Sequence, residues 1–148
     1  MSTLELLVAG DLHLGKRATG LPADLQAELG GGDAFSAIAT WERLVERAIA
    51  DAGHAVLDRE NRYFEAIDPL ERGLARLGEH GIRTFAVAGN HDFDVLPKLA
   101  ESLGSDRLTL LGRGGRWESL QVTLRGEPVR LDGWSFSSLH VRSDPTAT

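Results

Sequence analysis

Cysteine is absent from this chain, so it can form neither a disulfide nor a thiolate metal site. Any metal ion would be held by His, Asp, Glu or Asn side chains, which favours hard or borderline ions such as Mn, Mg, Fe or Zn. The chain also lacks an apolar run near the roughly 20 residues of a membrane span, and its N-terminus has no charged-then-apolar signal pattern. We therefore expect no membrane segment and a cytoplasmic location.

Positive charge is scarce as well, because 16 Lys and Arg residues stand against 22 Asp and Glu residues and the net charge is −6. A protein that coats nucleic acid is normally basic, so this balance argues against that class. It leaves phosphate chemistry open, since a bound cation can supply local positive charge. With 148 residues, 42% hydrophobic and 26% charged, the chain has the size and composition of one ordinary globular domain.

The order of predicted elements indicates a layered α/β domain over residues 1–142, followed by a frayed tail at 143–148. Strands are predicted at 4–9, 82–88, 108–111, 117–124, 129–131 and 134–136. The early strands alternate with helices and should be parallel, whereas the later strands follow one another and should be antiparallel. The stretch at 10–33 is predicted to be a long irregular loop, a feature that is usually functional or disordered.

Polar residues at the start of apolar, helically spaced stretches predict where the helices begin. Asp33 would cap the first helix. Asp68 would cap the second, with Pro69 in its first turn, and Asp94 would cap a short third helix. The segment at 54–57 is apolar but too short to predict a strand. These signals complete a strand–helix–strand–helix order ahead of the antiparallel part.

Polar clusters follow two of the predicted strands directly and are the strongest functional signal in the chain. GDLH at 10–13 comes after the strand at 4–9, and GNHD at 89–92 comes after the strand at 82–88. Both strands are mostly apolar, as in a sheet covered on both faces, and functional groups collect beyond the carboxyl ends of such strands. Either cluster alone is common in ordinary polar turns. Their occurrence together, each after a buried strand, favours a site.

The side chains of these clusters are those of a metal site. Asp11 and His13, two residues apart, can reach the same ion, and the Asn90 amide adds an oxygen ligand without further negative charge. Such a site can polarise a phosphoryl oxygen and lower the pKa of a bound water until it attacks as hydroxide. His91 could then protonate the departing alkoxide as a general acid, and Asp92 could orient its imidazole.

GDLH and GNHD resemble the first and third signature blocks of the calcineurin-like metallophosphoesterases. The surrounding sequence, DLHLG at 11–15, DRENRYF at 58–64 and VAGNHDF at 87–93, is similar to bacterial DNA-repair exonucleases of the SbcCD type. The resemblance extends from about Leu4 to Phe136. It implies a four-layer α/β/β/α sandwich, a phosphodiester substrate such as DNA, and an ATPase partner subunit.

The resemblance also implies a site for two divalent metal ions, commonly Mn, with Fe, Zn or Mg as other occupants. Asp11 and His13 would bind one ion, and Asn90 would bind the other. His91 would be the proton donor rather than a ligand. The implied reaction is metal-dependent hydrolysis of a phosphoester by a phosphodiesterase or DNA exonuclease.

Part of the family's pattern is absent from this sequence. Its second block, a Gly-Asp after a buried strand, should lie just before Asp58, but the residues at 52–57 contain no Asp and predict hardly any strand. We therefore expect an incomplete sandwich that lacks one central strand and is marginally stable, unless 54–57 repairs the sheet. The Asp of that block bridges both metals in the family. His54 and Asp58 are the candidate substitutes, and the favoured alternative is that both are plain loop residues.

The family's later blocks supply further His ligands, and these also have no match, so the C-terminal part of the sandwich is expected to be missing too. The histidines of the chain are His13, His54, His80, His91 and His140. His80 is expected at a helix C-terminus and His140 at the surface. Three matched ligands are few for two ions, so one ion or none are the alternatives. The alternative function is a non-catalytic remnant or binding module that retains the fold.

Overall fold

The structure, a computed structural model, describes residues 6–10, 14, 20, 22–28, 36–51, 54–59, 67–142 and 144–146, with the backbone alone at 26 and 54–59. The helices are α1 (Ala23–Glu28), α2 (Ala37–Asp51), α3 (Ile67–Glu79) and α4 (Leu96–Leu103). The strands are β1 (Leu6–Ala9), β2 (His54–Arg59), β3 (Thr84–Ala88), β4 (Thr109–Leu110), β5 (Glu118–Leu124) and β6 (Glu127–Gly133). Strands that alternate with helices and end in a hairpin make a mixed α/β fold, which confirms the predicted class.

A single parallel sheet contains β1, β2, β3 and β4 in that order. Ala9 of β1 lies opposite Leu57 of β2, and Arg59 of β2 lies opposite Ala88 of β3. The prediction that a central strand is missing is therefore wrong, because the segment at 54–57 belongs to the strand that joins β1 to β3. The length and residue pattern of the 54–57 segment did not predict β2. A short central strand is stabilised by hydrogen bonds to the strands on both sides, which the segment's own sequence does not show.

Helices α2 and α3 cover one face of this sheet and are joined by Trp41, which is 1% exposed. Its indole Nε1 donates to the carbonyl of Pro69 at 2.9 Å. Gly73 permits the contact, because a Cβ there would lie 2.4 Å from Trp41 Nε1. We call the surrounding apolar group the helix-side core; it includes Val45, Ala48, Leu70, Leu74, Leu77, Ala86, Ala88, Leu96, Leu99, Leu108 and Leu110.

The antiparallel pair β5 and β6 covers Phe85 on the other face of β3. Val122 and Leu124 are buried with Phe85, and we call these three residues the hairpin core. The hairpin turns at Arg125 and Gly126, whose φ angles are 51° and 85°. Positive φ at both positions matches the twist of the strands but usually selects Asn-Gly. An arginine in this left-handed region costs about 1–2 kcal/mol of backbone strain.

The end of the hairpin differs from the prediction of two strands at 129–131 and 134–136. β6 is continuous through Gly133, and residues 134–136 leave the hairpin to contact the end of β3. Gly133 lies against Leu111, because a Cβ at that glycine would be 2.5 Å from the Leu111 Cβ. Such a close approach changes the direction of the chain after β6. The alternation of apolar residues at 129–136 did not predict this change.

The start of α2 also differs from the prediction. Ser36 is its cap: the hydroxyl accepts the Ala39 N–H at 3.1 Å, and the Ser36 carbonyl accepts the Thr40 N–H at 3.0 Å. The predicted cap, Asp33, is therefore wrong, and Asp33 itself lies outside the described residues. Both residue types can cap a helix, so the register of the apolar stripe decided between them. The short helix α1 lies inside the stretch that was predicted to be irregular.

The other helix starts show how local the capping signal is. α3 begins at Ile67, so Asp68 lies in its first turn and the prediction that Asp68 caps the helix is wrong by at least two residues. α4 begins after Val95, which makes no side-chain cap hydrogen bond, so the prediction that Asp94 caps it is wrong. The carbonyl of Asp92 organises that start instead, as described below. Among the described residues, no helix is long and apolar enough to cross a membrane.

Candidate metal centre

The carboxyl ends of β1 and β3 lie at the same edge of the sheet, because both strands pair in parallel with β2. Strands two positions apart in a sheet are separated by about 10 Å. β1 ends at Ala9, which is level with Ala86, and β3 continues two residues further to Ala88. Ala9 and Ala88 therefore end at the same edge of the sheet, which is the edge where both polar clusters are predicted.

The structure describes two of the four predicted site residues. Asn90 and His91 lie in the turn that follows β3, and both are half-buried. Asp11 and His13 lie outside the described residues, so their placement relative to Asn90 stays a prediction. Half-burial suits a ligand or an acid, because the side chain is partly shielded from water and still accessible to a substrate.

Asp92 is the most buried residue of the turn, with 1% of its surface exposed. Its backbone carbonyl accepts the Val95 N–H at 3.1 Å and the Leu96 N–H at 2.9 Å. The first turn of α4 is therefore attached directly to the GNHD turn. Burial of this residue fixes the backbone on the C-terminal side of Asn90 and His91.

Ser135 fixes the backbone on the other side of the turn. Its hydroxyl accepts the Ala88 N–H at 2.9 Å and donates to the Leu111 carbonyl, while the Phe136 N–H donates to the Ala88 carbonyl at 2.9 Å. The last residue of β3 is thus bonded at both of its peptide groups by the segment that follows β6. Ser135 was not predicted as part of the site, because its contact with Ala88 joins segments that are 47 residues apart.

Gly112 allows the segment after β6 to come this close. A Cβ on Gly112 would lie 2.4 Å from the Trp134 Cα, and the φ of Gly112 is +71°. The Gly112 carbonyl also accepts the Ser135 N–H at 3.0 Å. Packed residues on both sides therefore hold the GNHD turn. Catalytic groups benefit from such a support, because small displacements greatly reduce rates.

The two substitutes considered for the bridging carboxylate stand at opposite ends of β2. His54 is its first residue and lies opposite Leu6, three residues before the end of β1. Asp58 is its second-to-last residue and lies opposite Val87. The backbone of Asp58 is therefore near the carboxyl edge of the sheet, and the backbone of His54 is about 13 Å further back along the strand. This position argues against His54 as a substitute.

The other histidines whose side chains the structure describes are His80 and His140. His80 follows α3, as expected, and its Nδ1 donates to the Arg76 carbonyl at 2.8 Å. His140 is exposed, as expected. Within the ranges that the structure describes, no group of three or more His, Asp or Glu side chains could hold a metal ion. Asn90 and His91 are thus the described residues of the predicted site, and its other predicted members lie at 11–13.

Neither a family model nor a curated protein sequence matches this chain. The resemblance to the metallophosphoesterases therefore depends on the residues at 11–15, 58–64 and 87–93 alone. The turn itself carries an amide side chain and an imidazole side chain, both half-buried, just after the carboxyl end of a parallel strand. Together they could provide one metal ligand and one proton donor for a substrate at this edge.

Proposed function

We propose that this chain is a metal-dependent phosphoester hydrolase of the calcineurin-like metallophosphoesterase type. The observation that carries the proposal is the parallel β1–β2–β3 arrangement, which gives β1 and β3 a common carboxyl edge. The GDLH and GNHD segments follow those two strands. Two sheets with helices outside the first are compatible with part of the four-layer α/β/β/α sandwich of that family.

The residues at this edge fit divalent ions by the chemistry of their donor atoms. Asp11 and His13 would hold one ion, and the amide oxygen of the half-buried Asn90 would hold another. A divalent ion bound there would polarise the phosphoryl oxygen and lower the pKa of a bound water. His91 would donate a proton to the oxygen that leaves when the P–O bond of a phosphodiester breaks.

Asp58 would supply the carboxylate that the missing Gly-Asp block provides in the family. Its support is the position of its backbone in β2, between β1 and β3 and close to their carboxyl ends. A carboxylate can bridge two cations, whereas a neutral imidazole cannot. Mn is the proposed ion, and Fe, Zn and Mg are the other candidates. DNA as substrate, an ATPase partner subunit and a cytoplasmic location belong to the same proposal through the SbcCD-type resemblance.

Hydrolysis of a chromogenic phosphodiester by the purified chain, with and without Mn, tests the reaction. We expect Mn-dependent turnover that falls about 10²- to 10⁴-fold in His91→Gln, the usual contribution of a general acid. His140→Gln is the matched control, since it removes an exposed histidine far along the chain from the turn. Turnover that is absent with Mn, Mg, Fe and Zn alike would refute the catalytic proposal for this chain.

Calorimetric titration with Mn tests the ligands separately from the chemistry. Two ions per chain, with weaker binding in Asp58→Asn and Asn90→Ala, would support the complete site. One ion that is lost in His13→Ala and retained in Asp58→Asn would support a single-ion site of Asp11, His13 and Asn90. Absence of binding would favour the alternative function, a non-catalytic remnant or binding module that retains the fold.

A further inference from the structure

A cleft of about 270 Å³ opens between the parallel sheet and the hairpin, at the end of β3 opposite the GNHD turn. Residues 80–83, which connect α3 to β3, form one wall. Residues 123–125, at the end of β5 and the start of its turn, form the other. Arg83 and Asn90 are seven residues apart along an extended strand, so the cleft lies on the order of 20 Å from the candidate metal centre.

Positive charge is concentrated in this cleft although the chain as a whole carries a net charge of −6. The charged side chains among the described residues that line it are those of Arg83 and Arg125. Clefts lined by charge of one sign focus the local field and attract ions of the opposite sign.

Arg83 and Arg125 lie on opposite walls of the cleft. The Arg83 guanidinium lies 5.1 Å from the centre of the Phe85 ring, and Phe85 belongs to the hairpin core. The backbone of Arg125 lies in the turn at the tip of the hairpin. The Thr123 hydroxyl adds a polar group to the wall.

We propose that this cleft binds a phosphate group through the Arg83 and Arg125 guanidinium groups. Guanidinium groups present several N–H donors in a planar fork that matches phosphate oxygens. A cleft of this size has room for one phosphate with some of its hydration. The phosphate could be a free anion or one group of a phosphodiester backbone. The proposal is independent of the hydrolase proposal, since it involves none of Asp11, His13, Asn90 or His91.

NMR titration of the protein with inorganic phosphate, at an ionic strength held constant with chloride, tests the proposal. We expect saturable shifts of the Gly81, Thr123 and Gly126 amides. The double variant Arg83→Gln/Arg125→Gly should weaken phosphate binding about tenfold or more, as expected when charged hydrogen bonds are lost. Arg125→Gly alone should remain folded, because glycine adopts the positive φ at no steric cost.

A double variant elsewhere controls for the change in net charge. Arg113 pairs with Glu101, and Arg130 pairs with Asp132, so Arg113→Gln/Arg130→Gln removes two charges outside the cleft. We expect phosphate affinity to change less than about twofold in this control. An equal loss in both double variants, or absence of saturable shifts in the unaltered protein, would overturn the proposal.

The same titration with a short single-stranded oligodeoxynucleotide identifies the source of the phosphate. Shifts of the same amides, weakened by Arg83→Gln/Arg125→Gly, would assign the cleft to a phosphodiester backbone. Shifts with inorganic phosphate alone would assign it to the free anion. Either pattern supports a phosphate site. We expect His91→Gln to abolish Mn-dependent hydrolysis without changing these shifts. Failure of the hydrolase proposal is therefore distinguishable from failure of the phosphate-site proposal.

Discussion

The two faces of the parallel sheet are closed to different degrees. On one face, Ala86 and Ala88 of β3 lie in the helix-side core, to which α2, α3 and α4 all contribute. On the other face, Phe85 is buried by the hairpin, but Leu6 and Val8 of β1 are 45% and 71% exposed. Successive residues of a strand point to opposite faces, so the same strands carry well-packed and poorly packed side chains.

This difference indicates a division of roles between the two cores. Hydrophobic stabilisation grows with the apolar area removed from water, so most of the free energy of folding should come from the helix-side core. The hairpin buries fewer residues, but its following segment bonds Ala88 through Ser135 and Phe136. We therefore expect changes in the helix-side core to alter stability most, and changes near Ser135 to alter the order of the GNHD turn.

Trp41→Ala should have the largest effect on stability. It removes a fully buried ring and the hydrogen bond that joins α2 to the Pro69 carbonyl. Truncation of a buried aromatic residue to alanine costs about 3–5 kcal/mol. A domain of this size has about 5–15 kcal/mol of total stability, so the variant should be close to unfolding. Urea denaturation followed by circular dichroism measures the change in the free energy of unfolding.

Trp117→Ala is a matched control for that variant. The Trp117 indole also donates to a proline carbonyl, that of Pro145 at 2.7 Å, but the ring is 58% exposed. We expect a loss within about 0.5 kcal/mol, as for most surface substitutions. Equal losses for Trp41→Ala and Trp117→Ala would contradict the conclusion that the helix-side core provides most of the stability.

Leu74→Ala and Leu124→Ala compare the two cores with the same chemical change. Both side chains are buried, at 0% and 2% exposure, but Leu74 is enclosed by α2, α3 and the sheet, whereas Leu124 lies in the small hairpin core. The cost of a Leu-to-Ala change depends on how well the site can collapse, over a range of about 2–5 kcal/mol. We expect about 4 kcal/mol at Leu74 and about 2 kcal/mol at Leu124.

Chemical denaturation of the two variants under identical conditions measures that difference. The change in midpoint should be larger for Leu74→Ala, with a similar dependence on denaturant in both. A larger loss for Leu124→Ala would show that the hairpin core is an essential part of the folding unit. It would also show that burial alone does not rank the two faces.

The fold could be predicted from sequence where a pattern was complete within one element. The apolar runs that became β1 and β3, and the periodic stripe of α2, needed no partner to be recognised. β2 could not be recognised because its stability depends on pairing with both neighbours. The cap of α2 at Ser36 was also missed, since several polar residues near a helix start have comparable capping propensity.

The candidate site likewise contains residues that a local pattern predicts and residues that act through contacts distant in sequence. Asn90 and His91 were predicted because they follow an apolar strand within a few residues, and the structure has them in that turn. Ser135 acts on Ala88 from 47 residues away in sequence, so no local pattern could indicate it. Gly112 was missed for a similar reason, because its role is the close approach of Trp134. Contacts between distant segments, rather than motifs, hold the turn in place.

Ser135→Ala tests the role of the segment after β6. It removes the only side-chain bond to the Ala88 N–H that the described structure contains, and leaves the Leu111 carbonyl without that donor. Leaving a buried polar group unsatisfied costs about 1–3 kcal/mol. Hydrogen exchange should show lower protection at the Ala88 amide and in the GNHD turn, with α2 and α3 much less affected.

Ser138→Ala is the control for Ser135→Ala. The Ser138 hydroxyl donates to the carbonyl of exposed His140 at 2.9 Å, where water can replace it. Stability should change by less than about 0.5 kcal/mol, and protection at Ala88 should not change. If Ser135→Ala left Ala88 protection at its original level, the hairpin would not be what orders the end of β3.

The smallest effect is expected on the outer face of the hairpin, at Asp132. Hydrogen bonds from the Ser119 hydroxyl and from Arg130 lower the pKa of the Asp132 carboxyl below its ordinary value of 3.8. A carboxyl whose pKa is lowered on folding contributes stability above the unfolded pKa, and the contribution disappears as pH falls through the folded pKa. The group is fully exposed, so solvent screening keeps this contribution small.

NMR titration of the Asp132 carboxyl carbon checks this directly. The midpoint should lie below pH 3.8 in the unaltered protein and move up toward it in Ser119→Ala, because the Ser119 hydrogen bond is the largest cause of the lowered pKa. Ser138→Ala should leave the midpoint unchanged. A midpoint that did not respond to Ser119→Ala would show that the Ser119 hydroxyl does not bond the Asp132 carboxylate in solution.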